Sequence, residues 1–393
     1  MESLAFALDR LHAFLAEVRE IAEAEFPYPD SRVALKILGQ LFETKLVRLQ
    51  GFDKKSDPSI VRQECKLSVS ALFHYVPLLG FILRSTNVRN AFELCAPLLR
   101  LAKQVLEYDV DTAKRTTRLI LSSEWDYSPF VYRDIPDLPG MVLIGLPAPE
   151  SSNPLLIPLA GHELGHSVWS RRELGAFFKP VAREQVLTAI RGRWKEFEEV
   201  SEKKSLRPED LTNDMFCVQF WEQAVVWCLR QAEESFCDFV GVRLFHLSYL
   251  DAFAYLLSPG TVGARSPYYP RMKNRVRHLE NAANACFVSV PPGYTDLFDD
   301  GAEPNLIQSD LFRLSVADEA LEEMVGRLTD RANQEITAAG FAAPSKEEVK
   351  MAEKERTRIW QRFRHVIPAE GCRGIADILN AAWHARRDPD SLG

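Results

Sequence analysis

The chain has 393 residues, with 48 Lys and Arg against 55 Asp and Glu, and it is 46% hydrophobic and 26% charged. This is the composition of a globular protein, which excludes a disordered chain, a collagen or a coiled-coil rod, and its length excludes a single small scaffold. The formal net charge of -7, with acids and bases mixed along the chain, supplies no basic field for phosphates, so no nucleic-acid partner is expected.

The first residues carry Glu2, Asp9 and Arg10 on a helical pattern, without the basic and apolar blocks of a targeting signal. Apolar residues at Leu4, Leu8, Leu11, Leu15, Val18 and Ala22 predict an amphipathic helix that Pro27 and Pro29 end. A second helix is predicted from near Ser31 to about Leu49, and Asp57 with Pro58 opens a third. The run Ala71 to Leu83 contains His74 and falls short of the roughly 20 residues that cross a bilayer, so it reads as a buried segment and no membrane span is expected. Two further helices are expected, to about residue 122.

Between Ser123 and Pro154 six prolines break any helix, and the apolar run Met141 to Leu146 is short enough for a strand, so the sheet is placed here. Helical text resumes at Leu155 to Ser170. A charged stretch, Arg193 to Asp214, reads as a solvated excursion or lid, and a long helix is predicted from about Val218 to Tyr249. Pro291, Pro292 and Gly293 with the acidic run Asp296 to Glu303 mark another break, and Ser345 with Glu348 forms a capping box for a late helix. The expected fold class is predominantly α with a small β-sheet, an α+β protein. Its expected parts are a helical N-terminal domain (1–122), a core (123–292) and a helical C-terminal region (293–393). Seven scattered cysteines, Cys65, Cys95, Cys217, Cys228, Cys237, Cys286 and Cys372, lack paired spacing and point to a reducing, cytoplasmic setting.

Chemistry concentrates in the words Gly161-His162-Glu163-Leu164-Gly165-His166, an HExxH motif in an apolar helix. Positions i and i+4 share a helix face, so His162 and His166 can offer nitrogens to one Zn2+, with Glu163 beside the water it activates. A catalytic zinc usually has a third protein ligand. The metzincin extension is absent, because Trp169 and Arg172 stand where it needs Gly and His. Downstream, Glu234 and Asp238 lie one turn apart in an otherwise apolar helix, with Glu234 placed to ligate zinc and Asp238 to accept the other N–H of a ligand histidine. Glu233 competes for the ligand place in the neighbouring register, but puts Cys237 where the second acceptor belongs. The bland reading pairs Glu234 with Arg230 on a solvated stripe. Gly241, a turn further on, allows this helix to approach the HExxH helix closely.

HExxH followed by ExxxD resembles the gluzincin metallopeptidases, and the 68 residues from His166 to Glu234 resemble the branch of the HtpX and CAAX prenyl proteases more than thermolysin. That branch follows its glutamate helix with His-Pro, an Arg six residues after the His and a Leu ten after it. Here Tyr269, Pro270, Arg275 and Leu279 occupy those places, so Tyr269 departs from the pattern. The resemblance covers about residues 140 to 280 and implies a zincin-like metallopeptidase core, although the membrane spans of that branch are missing.

On this reading zinc held by His162, His166 and Glu234 lowers the pKa of bound water toward roughly 7, and Glu163 takes its proton and returns it to the leaving amine. The Tyr269 hydroxyl is the candidate donor to the developing oxyanion, with His278, Tyr268 and Arg275 as alternatives. The Met141 to Leu146 strand is a candidate edge on which an extended protein or peptide substrate adds. The alternatives are a helical interaction or regulatory protein with a structural or silent zinc site, and a zinc hydrolase of a non-peptide amide. Glu163 argues against silence, because a structural site has no use for the base.

Overall fold

The structure is a computed structural model that describes residues 2–26, 29–53, 55–86, 95–108, 117–125, 130–132, 135, 137, 138, 140–150, 153–201, 206–260, 264–342, 345, 347, 379 and 383. The chain divides into two compact units, Met1–Lys103 with Val110–Pro154, and Gln104–Asp109 with Leu155–Gly393.

The first unit holds α1 (Glu2–Ala22), α2 (Pro29–Gln50), α3 (Pro58–Arg84), the start of α4 (Cys95–Leu106) and a sheet of β1 (Arg118–Glu124), β2 (Phe130–Tyr132) and β3 (Met141–Pro147). Leu4, Leu11, Leu15 and Val18 are buried along α1, as their spacing requires, and Phe14 meets Phe42 of α2 with ring centroids 4.2 Å apart. The Asp57 carboxylate accepts the Ser59 N–H at 2.7 Å and caps α3. The Ala71 to Leu83 run lies inside this 27-residue helix. Among the described residues α3 is the one helix long and apolar enough to cross a membrane, by length and composition. Leu72, Tyr75, Leu78, Leu79 and Ile82 are buried in the core of its unit, while Phe73, Val76 and Leu83 are exposed.

The strand order is β1-β3-β2, with β1 parallel to β3 (Arg118 opposite Met141) and β2 antiparallel to it (Phe130 opposite Gly145). Two expectations change here. β1 begins at Arg118, in text read as helix, because its short apolar run Leu119 to Leu121 fits a buried strand as well as a helix segment. β3 is paired on both sides and all seven of its residues are buried, so it is the central strand and no edge for a substrate. Residues 123–154, expected in the core with the HExxH helix, pack with the N-terminal helices instead.

In the second unit a 3₁₀ turn (Pro154–Leu159) leads into α5 (Ala160–Arg171), followed by α6 (Leu174–Gly192), α7 (Trp194–Ser201), α8 (Met215–Phe245), α9 (Leu247–Leu257), α10 (Met272–Ala285), α11 (Gln308–Glu322) and α12 (Val325–Ala338). The 31-residue α8 is the axis, against which α5, α6, α10, α11 and α12 pack. Every residue from Gln231 to Phe245 is buried, as expected of a helix that is apolar on nearly all sides. The charged stretch after Arg193 is only partly an excursion, since α7 buries Phe197 with its ring 5.0 Å from Phe220. The helix expected to reach Tyr249 stops at Phe245, because His246 takes φ +53° and turns the chain into α9. Glu348 of the expected capping box lies outside the described residues. The fold is thus predominantly α with a small β-sheet, an α+β architecture.

Candidate metal centre

The HExxH motif lies on α5, which crosses α8 at very short range because of its glycines. A Cβ on Gly161 would stand 3.0 Å from the Gly241 Cα, and one on Gly165 would stand 2.7 Å from the Cys237 Cα. The space a Gly241 Cβ would occupy is filled by the Tyr249 ring, which the turn at His246 folds back onto α8. This approach sets two imidazoles of α5 against the carboxylates of α8.

The His162 and His166 rings stand 4.9 Å apart at 86°. His162 Nε2 is 3.3 Å from Glu234 Oε2, and His166 Nε2 is 3.7 Å from Glu234 Oε1. Ligands about 2.0–2.2 Å from a tetrahedral zinc are separated from one another by about 3.3–3.6 Å, so the Glu234 carboxylate stands close to ligand spacing from each imidazole. The rings are also held from behind. His162 Nδ1 lies 2.8 Å from Asp238 Oδ1, and His166 Nδ1 lies 2.9 Å from Glu233 Oε1. An Nδ1–H donated to each carboxylate leaves both Nε2 lone pairs facing Glu234.

Asp238 is itself anchored. It accepts the Tyr249 hydroxyl at 2.7 Å and the Arg275 Nε and Nη2 at 2.6 and 2.9 Å, while Arg275 Nη2 also lies 3.5 Å from Glu234. Burial alone would raise the Glu234 carboxyl, yet His162 and Arg275 outweigh it and hold the group at about 2. Burial would likewise lower His162, but Asp238 and Glu234 push it up to about 10. For Asp238, burial is opposed chiefly by Arg275 and the carboxyl stays well below its ordinary range. Asp238 and Glu234 thus favour positive charge at His162.

Glu163 is buried in the first turn of α5, next in the chain to His162. Tyr269 is exposed, its ring centroid 5.7 Å from the Arg275 guanidinium carbon and its carbonyl accepting Arg265 Nε at 2.8 Å. Of the alternatives to Tyr269, His278 is buried with Nε2 3.0 Å from Glu322, Arg275 is engaged with the two carboxylates, and Tyr268 is exposed. Arg230 lies 3.4 Å from Glu233 rather than on Glu234.

Sequence reasoning missed three members of this centre. Glu233 was legible only as a competitor for the ligand place, whereas the structure sets it behind His166. Tyr249 carries no signal, because the turn at His246 is invisible in an apolar run. The Cys237 thiol is the third: its sulfur and one ligand atom of each of the two histidines all lie within 4.8 Å of one another. Without a metal, burial and the surrounding carboxylates push that thiol well above its ordinary range; a bound cation would act in the opposite direction, so Cys237 and Glu234 are both candidate third donors.

The described residues form an α-rich protein in which α5 and α8 bring His162 and His166 beside Glu234 and Cys237. No family model, no curated protein and no solved structure matches the chain.

Proposed function

We propose that the protein is a zinc-dependent metallopeptidase with a gluzincin-like centre, hydrolysing peptide bonds of an intracellular protein or peptide. The observation that carries this reading is the pair of HExxH imidazoles held from behind by Asp238 and Glu233, with both Nε2 atoms beside the Glu234 carboxylate. His162, His166 and Glu234 would hold the zinc. Two nitrogens and a carboxylate are a donor set found at catalytic zinc. Zinc bound there would polarise a substrate carbonyl and lower the pKa of a water. The Glu163 carboxylate takes the proton of the attacking water and passes it to the leaving amine. The Tyr269 hydroxyl donates a hydrogen bond to the carbonyl oxygen as charge develops on it.

One observation favours a second reading. The Cys237 sulfur near both histidines would close the coordination sphere and make the site structural. The two readings separate on Glu163→Gln, which keeps the shape of the site and removes the proton acceptor. The variant is expected to bind zinc like the wild type and to lose turnover in a proteomic or peptide-library comparison. A Glu163→Gln protein as active as the wild type would contradict the enzymatic reading.

A further inference from the structure

We propose that Glu233 is a positioning residue that fixes the second histidine of the metal site, an inference that rests on the metal-binding reading above. Glu233 and Glu234 are consecutive on α8, so their side chains leave the helix about 100° apart. Glu234 faces both Nε2 atoms, and Glu233 reaches behind His166 to place Oε1 2.9 Å from Nδ1. Only 4% of Glu233 is exposed, so this carboxylate gives up most of its water to hold that contact.

The chemistry of imidazole explains what the contact does. Neutral His carries one N–H, and a ring with its proton on Nε2 has no lone pair for the metal. An acceptor at Nδ1 holds the proton there and stops the ring turning about its Cβ–Cγ bond. His162 receives this service from Asp238, which Tyr249 and Arg275 hold in place. His166 receives it from Glu233, whose other oxygen lies 3.4 Å from the half-exposed Arg230. Adjacent glutamates thus divide the work: Glu234 binds the metal and Glu233 aims a ligand. Glu233 is not itself a ligand, because it meets His166 on the ring nitrogen that points away from Glu234.

The test compares the full-length wild type with Glu233→Ala, Glu233→Gln and Glu234→Ala, reading zinc affinity by chelator competition and the visible spectrum of the Co2+-loaded proteins. Loss of the acceptor in Glu233→Ala is expected to weaken zinc about 10- to 100-fold, the range for groups that orient ligand histidines. Its Co2+ bands should keep the wild-type shape, since the donor set is unchanged. Glu233→Gln should return affinity to within severalfold of the wild type, because its amide oxygen still accepts the Nδ1–H. Glu234→Ala should change both affinity and band shape. Wild-type affinity in Glu233→Ala would overturn the proposal, as would Glu233→Gln binding no better than Glu233→Ala, or Glu233→Ala shifting the bands as Glu234→Ala does. None of these readings uses turnover, so a catalytically silent protein leaves the result intact. A wild type that binds no zinc would remove the metal site and this role together.

Discussion

Tyr269 shows what a single residue leaves open at this site. Its exposed ring lies over Arg275, the group that anchors both Asp238 and Glu234, and its backbone is fixed by Arg265. An exposed phenol beside Arg275 suits a donor needed only when charge appears on a carbonyl oxygen. Tyr269→Phe is therefore expected to lower kcat by about 10²–10³ with little change in KM or zinc content. Tyr269→His should recover part of the rate, and Tyr268→Phe should leave it unchanged. An unaltered kcat in Tyr269→Phe, measured on a cleaved peptide, would reduce Tyr269 to a turn residue. The candidate site was legible because helix periodicity alone puts His162 with His166 and Glu234 with Asp238 on common faces. Glu233 was not, since it works sideways from the face that periodicity identifies. Tyr249 was not either, because it reaches Asp238 only through a reversal of the chain at His246.

The pair α5 and α8 is the element on which the centre depends, and small residues determine how near the two helices come. At Gly165 an added methyl would lie 2.7 Å from the Cys237 Cα, a backbone atom that cannot give way as a side-chain tip can. Gly165→Ala is thus expected to destabilise the protein by about 1–3 kcal/mol as an overpacked core. It should also weaken zinc, because it pushes the histidines away from Glu234. Gly326→Ala is the matched control: it lies in α12 with no atom within 4 Å of the added methyl. It should be neutral or stabilise by up to about 1 kcal/mol. Thermal unfolding of the two variants checks this, and equal effects would contradict the close-packing account. Element types were read correctly where periodicity was long, as in α1 to α3. They were misread where a run was short and apolar on all sides: β1 looked helical, and the α8–α9 break passed unnoticed in continuous apolar text.

Across the whole molecule, the chain holds an N-terminal helical unit that includes the sheet and a second unit built on α8 that contains every proposed ligand. The predominantly α character with a small sheet was legible from the proline-rich break and the helical text around it. The boundary was not: it falls between Pro154 and Leu155, in the 3₁₀ turn that leads into α5, because proline-rich composition marks where helices stop and not which core the intervening strands join. Only tertiary packing assigns those strands to the N-terminal helices. The central claim concerns the second unit, where two helices at glycine contact bring His162 and His166 beside Glu234, and it is that these three hold zinc. It is tested most directly by elemental analysis of the full-length protein purified without chelators, beside a His162→Ala, His166→Ala double variant. The account predicts about one zinc per wild-type chain and almost none in the double variant. Zinc well below one equivalent in the wild type, or equal metal content in the two proteins, would contradict it.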